Sequence, residues 1–136
     1  MKTNSFILLH DTNSDVNVIS EPIRLAGWYR SYNIDNTISI FTNNLNGRLY
    51  FEGTLEKNPT ENDWFPIQLN NKNYLEYFCD TYNYKKVEKS EVYTIKTNAI
   101  LIRVKLDRSY LDLDLSDNPN KYVAKIGNVR KIFVAF

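Results

Sequence analysis

Cysteine, histidine and methionine each occur once in the 136 residues, and glycine and proline only four times each. A single thiol, Cys79, excludes an intrachain disulfide framework and a cysteine-rich zinc site. It sits in Tyr77-Phe78-Cys79, and a free cysteine among aromatics behaves as a small hydrophobe. The one histidine, His10, follows an apolar tetrapeptide and precedes Asp11. A nucleophile–histidine site needs that base beside a serine or cysteine and oriented by a carboxylate. No nucleophile elbow or other local signature accompanies His10, so a solvent-facing histidine at a strand end is the simpler reading. Glycine-rich phosphate loops are absent, and no apolar run reaches the length needed to cross a bilayer. Residues 6–9 are too few for the core of a signal peptide. Seventeen basic residues against sixteen acidic ones, interspersed, leave a net charge of +1, unlike the basic footprint of a nucleic-acid binder. These absences predict one soluble domain over residues 1–136, made in a cytoplasm. They also predict no enzyme activity, no cofactor, and neither nucleic acid nor membrane among its partners.

Ten tyrosines, seven phenylalanines and two tryptophans are present, together with many asparagines. Aromatic and β-branched residues suit a pleated, half-buried surface, and asparagine suits turns. The chain is organised around residues 47–69, GRLYFEGTLEKNPTENDWFPIQL. Leu49, Phe51, Gly53 and Leu55 alternate with Arg48, Tyr50, Glu52, Thr54 and Glu56, which places the two sets on opposite faces of a strand. Residues 57–63 form a polar connection. Trp64, Phe65, Ile67 and Leu69 return to apolar character, with Pro66 marking an edge or a bulge. The same alternation predicts strands at 6–9, 16–19, 23–29, 37–41, 91–97, 99–106, 122–125 and 129–136, with Ile38, Ile40, Ile100, Ile102, Val104 and Leu106 facing inward and Arg103 and Lys105 outward. Residues 31–36, 85–90 and 107–121 read as connections, residues 70–73 as a polar turn, residues 74–84 as an irregular or edge segment, and Asn46-Gly47 as a hairpin turn. About nine short strands separated by turn signals predict an all-β, antiparallel β-sandwich of jelly-roll-like form.

Two acidic runs bear on metal binding. Residues 11–15, DTNSD, imitate the start of an EF-hand loop, but Val16 stands where that loop requires glycine and Pro22 where it requires glutamate. Asp112, Asp114 and Asp117 could direct oxygens at a Ca²⁺, but without a specific motif a solvated acidic loop is the simpler reading. The aromatics bear on partners. Tyrosine and tryptophan offer apolar area with a polar handle, which suits protein contacts and sugar stacking. Trp28 and Trp64 are expected in the core. Tyr74, Tyr77, Tyr82 and Tyr84 are expected on a contact surface, with Tyr110 in the 107–121 excursion and Lys57, Asn58 and Glu61 in the 57–63 loop.

The segments GRLYFEGTL (47–55) and NPTENDWFPI (58–67), with LIRVKLDRSYL (101–111) and IGNVRKI (126–132), resemble a pattern in small virion structural proteins of tailed bacteriophages. They cover 37 of the 136 residues, a little over a quarter of the chain. The resemblance implies a sandwich without catalytic residues: a head-decoration, neck, tail or fibre-attachment component. Its partners would be other virion proteins in a homo-oligomeric or otherwise symmetric assembly, and its location the virion. A carbohydrate-binding sandwich for host recognition is the alternative.

Overall fold

The computed structural model describes residues 5–12, 15–25, 34–78, 88–111 and 127–135. Ten strands occur among them: β1 (Ser5–His10), β2 (Asn17–Ile19), β3 (Ile23–Arg24), β4 (Ile34–Asn43), β5 (Gly47–Thr54), β6 (Phe65–Pro66), β7 (Leu75–Tyr77), β8 (Glu88–Thr97), β9 (Leu101–Asp107) and β10 (Asn128–Ala135). They form two antiparallel sheets. A four-stranded sheet has the order β1-β10-β4-β8; a six-stranded sheet has the order β2-β9-β5-β6, with β3 also on β9 and β7 also on β5. The pairs are nested: β1 with β10, β2 with β9, β4 with β8, and β5 with β6 and β7. A single long ribbon of paired strands, folded so that successive stretches alternate between two layers, gives this order.

Side-chain alternation explains the core. Ile38, Ile40, Ile132 and Val134 from one sheet, and Leu49, Phe51, Ile102, Val104 and Leu106 from the other, belong to one buried cluster. Each such side chain stabilises the fold by roughly 1.5–3 kcal/mol on leaving water. Ser20 joins β2 to β3 along β9 by imitating a strand residue. Its N–H donates to the Val104 carbonyl at 2.9 Å, and its hydroxyl accepts the Val104 N–H at 2.9 Å.

Several expectations are corrected. The Asn46-Gly47 hairpin does not form, because β4 and β5 lie in different sheets. Gly47 has φ 147° and Asn44 φ 48°, while Asn46 is not left-handed, so the paired positive dihedrals of a tight hairpin are missing. The buried Leu45 instead turns the chain from one layer to the other. A two-residue turn does occur at Asn70-Asn71 (φ 52° and 64°), closed by reciprocal Leu69–Lys72 backbone hydrogen bonds of 3.0 Å. The second strand of the central stretch shrinks to Phe65–Pro66, and a 3-10 turn at Glu61–Asp63 occupies the loop before it. Asp63 anchors that turn by accepting the Thr60 N–H at 2.7 Å and the Thr60 hydroxyl at 3.0 Å. Leu55 is exposed, since β5 ends at Thr54. Residues 34–36 and 88–90 extend β4 and β8 rather than forming connections.

Candidate interaction surfaces

The outward residues of the six-stranded sheet form cross-strand rows. Glu76, Arg48, Asp107 and Asn17 lie side by side on β7, β5, β9 and β2; Tyr50, Lys105 and Ile19 form the next row, and Glu52 stands opposite Arg103. Opposite charges thus face one another across strands, the arrangement that stabilises a sheet surface. Arg48 donates through Nε to Glu76 at 2.6 Å, and the Tyr110 hydroxyl donates to the other Glu76 oxygen at 3.1 Å. The Arg48 guanidinium lies 4.1 Å from the Tyr110 ring centre and 4.9 Å from that of Tyr74. Tyr50 packs against Tyr74 with ring centres 5.3 Å apart. Partial burial, then Glu76, push the Tyr110 hydroxyl up to about 12. The Ser109 hydroxyl and backbone N–H, at 2.6 and 2.9 Å, hold the Asp107 carboxyl below the usual carboxylate range.

A second arginine repeats the scheme. Arg103 donates to Glu52 at 2.9 Å and to both Glu61 oxygens at 3.1 and 3.2 Å, while its guanidinium lies 4.1 Å from the Trp64 ring centre. Its hydrogen bonds hold the Glu61 carboxyl below its usual range. Beside the Arg48 cluster, between the β7 edge of one sheet and the β8 edge of the other, opens a cleft of about 660 Å³ lined by Tyr74, Glu76, Tyr77, Glu91 and Tyr93. The Tyr93 hydroxyl donates to Glu91 at 2.5 Å.

The four-stranded sheet presents a different outer face. Ile7, Phe133, Ser39 and Val92 form one cross-strand row over β1, β10, β4 and β8. Phe41 meets Phe133 edge to face at 6.2 Å, and Lys131 lies over both rings. Ile7 is 54% and Val92 66% exposed.

The residues expected on contact surfaces are distributed unevenly. Tyr74 and Tyr110 come together around Arg48; Glu61 is held by Arg103; Lys57 and Asn58 are exposed on the loop before the 3-10 turn. Tyr77 is a correction: it is buried in the core cluster, because its position on β7 points between the sheets. Burial and the neighbouring Glu91 push its hydroxyl well above the tyrosine range. Trp64 is also corrected, being half-buried beneath Arg103 rather than in the core. His10 is exposed at the end of β1, 3.3 Å from Asp11. Trp28, Cys79, Tyr82, Tyr84, Asp112, Asp114 and Asp117 lie outside the described residues. Among the described residues no group of three or more His, Cys, Asp or Glu gathers as metal ligands would. Sequence reasoning missed Arg48, Glu76 and Arg103 as centres of the polar face, and the Ile7–Phe133–Val92 row entirely. The outward alternation within each strand is the one signal that bears on them. No family model, curated protein or solved structure matches the chain.

Proposed function

We propose that the protein is a non-enzymatic structural component of a tailed-phage virion, held by protein–protein contacts in a symmetric assembly. The observation that carries this reading is the open apolar row on the four-stranded sheet. Ile7 and Val92 remain more than half exposed, with Phe133 beside Ile7 in the same row. Apolar area of this kind gains about 25 cal/mol per Å² when a neighbour covers it, and contiguous patches mark contact surfaces. The nested strand pairing supports a jelly roll, an architecture recurrent in viral capsid proteins and lectins. Fold alone does not assign a role; the resemblance of residues 47–55, 58–67, 101–111 and 126–132 to small virion proteins narrows it. Mass spectrometry of purified particles should detect the chain at a fixed stoichiometry, and cryo-electron microscopy should place its density on the head, neck or tail. Intact virions lacking the chain would overturn this reading.

A glycan-binding module is the second reading. The exposed Tyr74 and Tyr110, with the half-buried Tyr50, beside the 660 Å³ cleft favour it. A glycan array run with and without chelator tests it: saturable binding lost in Tyr74→Ala supports it, and no binding to any glycan excludes it.

A further inference from the structure

β8 is an edge of the four-stranded sheet, and among the described residues it pairs with β4 alone. Sheet edges are commonly protected by short strands, prolines, bulges or central charges. β8 has ten residues and no proline, and its ladder with β4 runs from Glu88 to Thr97 without a register shift. Its lysines, Lys89 and Lys96, stand near its two ends, and its one central charge, Glu91, is engaged by the Tyr93 hydroxyl of the same strand. We propose that this edge pairs antiparallel with the β8 edge of a second copy, about a two-fold axis through Val92. The two four-stranded sheets then become one continuous sheet. This deepens the reading of a symmetric assembly by naming the contact between copies.

The register follows from chemistry. Directly opposed residues in an antiparallel ladder point to the same side, so a two-fold axis must pass through a residue. Centring on Glu91 sets that carboxylate against its own copy. Centring on Tyr93 sets Lys96 opposite Ser90. Centring on Val92 sets Glu88 opposite Lys96 at both ends, Ser90 opposite Thr94, and Val92 opposite Val92. Opposite-charge and hydroxyl pairs stabilise cross-strand contacts, whereas like charges directly opposed destabilise them. The Val92 register also continues the row Ile7–Phe133–Ser39–Val92 through the axis into the second copy. It covers the most exposed aliphatic side chain on any described strand, Val92 at 66%. An isologous contact of this kind closes with two copies.

The test is sedimentation equilibrium of the full chain, its Lys96→Glu variant and the charge-swapped Glu88→Lys/Lys96→Glu double variant, each checked for native circular dichroism and thermal midpoint. The wild type should dimerise. Lys96→Glu should weaken the dimer about tenfold or more, and the double variant should return to within a few-fold of wild type. A wild type monomeric throughout, a dimer indifferent to Lys96→Glu, or a swap without rescue overturns the edge pairing. A dimer with this charge pattern in a chain absent from virions would sink the phage reading alone; a solution monomer found in virions would sink only the edge pairing.

Discussion

Arg108 is the largest side chain among those fully buried in the described residues. Its guanidinium donates to the Gly127 carbonyl at 2.9 Å and to the Thr12 hydroxyl at 2.6 Å. Thr12 also accepts the Val129 N–H at 3.0 Å and donates to Asn128 at 3.2 Å. One hydroxyl thus uses its full capacity of two acceptors and one donor, tying the end of β1, the end of β9 and the start of β10. Burial pushes the Arg108 guanidinium down to about 10, with Asp15 opposing the shift, so it is still charged at neutral pH. Arg108→Ala leaves the Gly127 carbonyl and Thr12 hydroxyl short of a donor and opens a cavity. Breaking a buried charged network costs about 3–5 kcal/mol, which urea unfolding should register as a lower midpoint. Arg108→Lys should recover only part of the loss, since an ammonium lacks the planar fork that reaches both acceptors. None of this was legible in the sequence. Asp-Arg-Ser at the head of a polar run reads as solvated, and the partners Thr12 and Gly127 lie far off along the chain. Arg48 and Arg103 were legible as outward residues of strands, but their carboxylates and rings follow only from cross-strand register.

The strands show the same division between local and long-range information. Alternation placed β4, β5, β9 and β10 and most of the inward residues of β4 and β9, because a period of two is written into neighbouring residues; in β10 a register shift after Val129 breaks that period. Pairing is not written there. Asn46-Gly47 has the residues of a hairpin, yet the buried Leu45 carries the chain to the opposite sheet, while Asn70-Asn71 makes the turn instead. Gly127 shows how tightly that corner is built. It has φ +69°, and a Cβ there would lie 2.1 Å from the Asn44 carbonyl oxygen. Asn44 itself is left-handed, so two unusual backbones lie against each other. Gly127→Ala must displace the corner as well as bear a left-handed alanine. The two effects together should cost about 3 kcal/mol. Hydrogen exchange should then show faster opening of the amides joining β4 to β10, with the β5–β9 ladder less affected. Equal exchange in both ladders would argue against a local clash.

Among the described residues the sandwich has two unlike outer faces and a cleft between β7 and β8. On the six-stranded face Arg48 and Arg103 are each engaged by carboxylates and rings of the same chain; among the described residues the four-stranded face leaves Ile7 and Val92 to solvent. In that cleft Tyr77 and Tyr93 meet Glu91, and Tyr110 lies nearby over Arg48. All three hydroxyls are held protonated, chiefly by burial and then by a neighbouring carboxylate; Tyr93 and Tyr110 are each pushed up to about 12 from an ordinary 10. The sign follows from linkage. Above pH 10 the unfolded chain releases these protons while the folded chain keeps them, so unfolding gains relative to folding. The stability they contribute is complete below pH 10 and falls as pH rises towards about 12. Denaturant titrations across that interval should show a declining midpoint, and tyrosinate absorbance of the folded chain should include late-titrating groups. Tyr93→Phe and Tyr110→Phe should each make the decline shallower, because phenylalanine has no proton to lose in either state. A slope unchanged in both variants would mean that the tyrosines at the cleft titrate as freely as those in the unfolded chain.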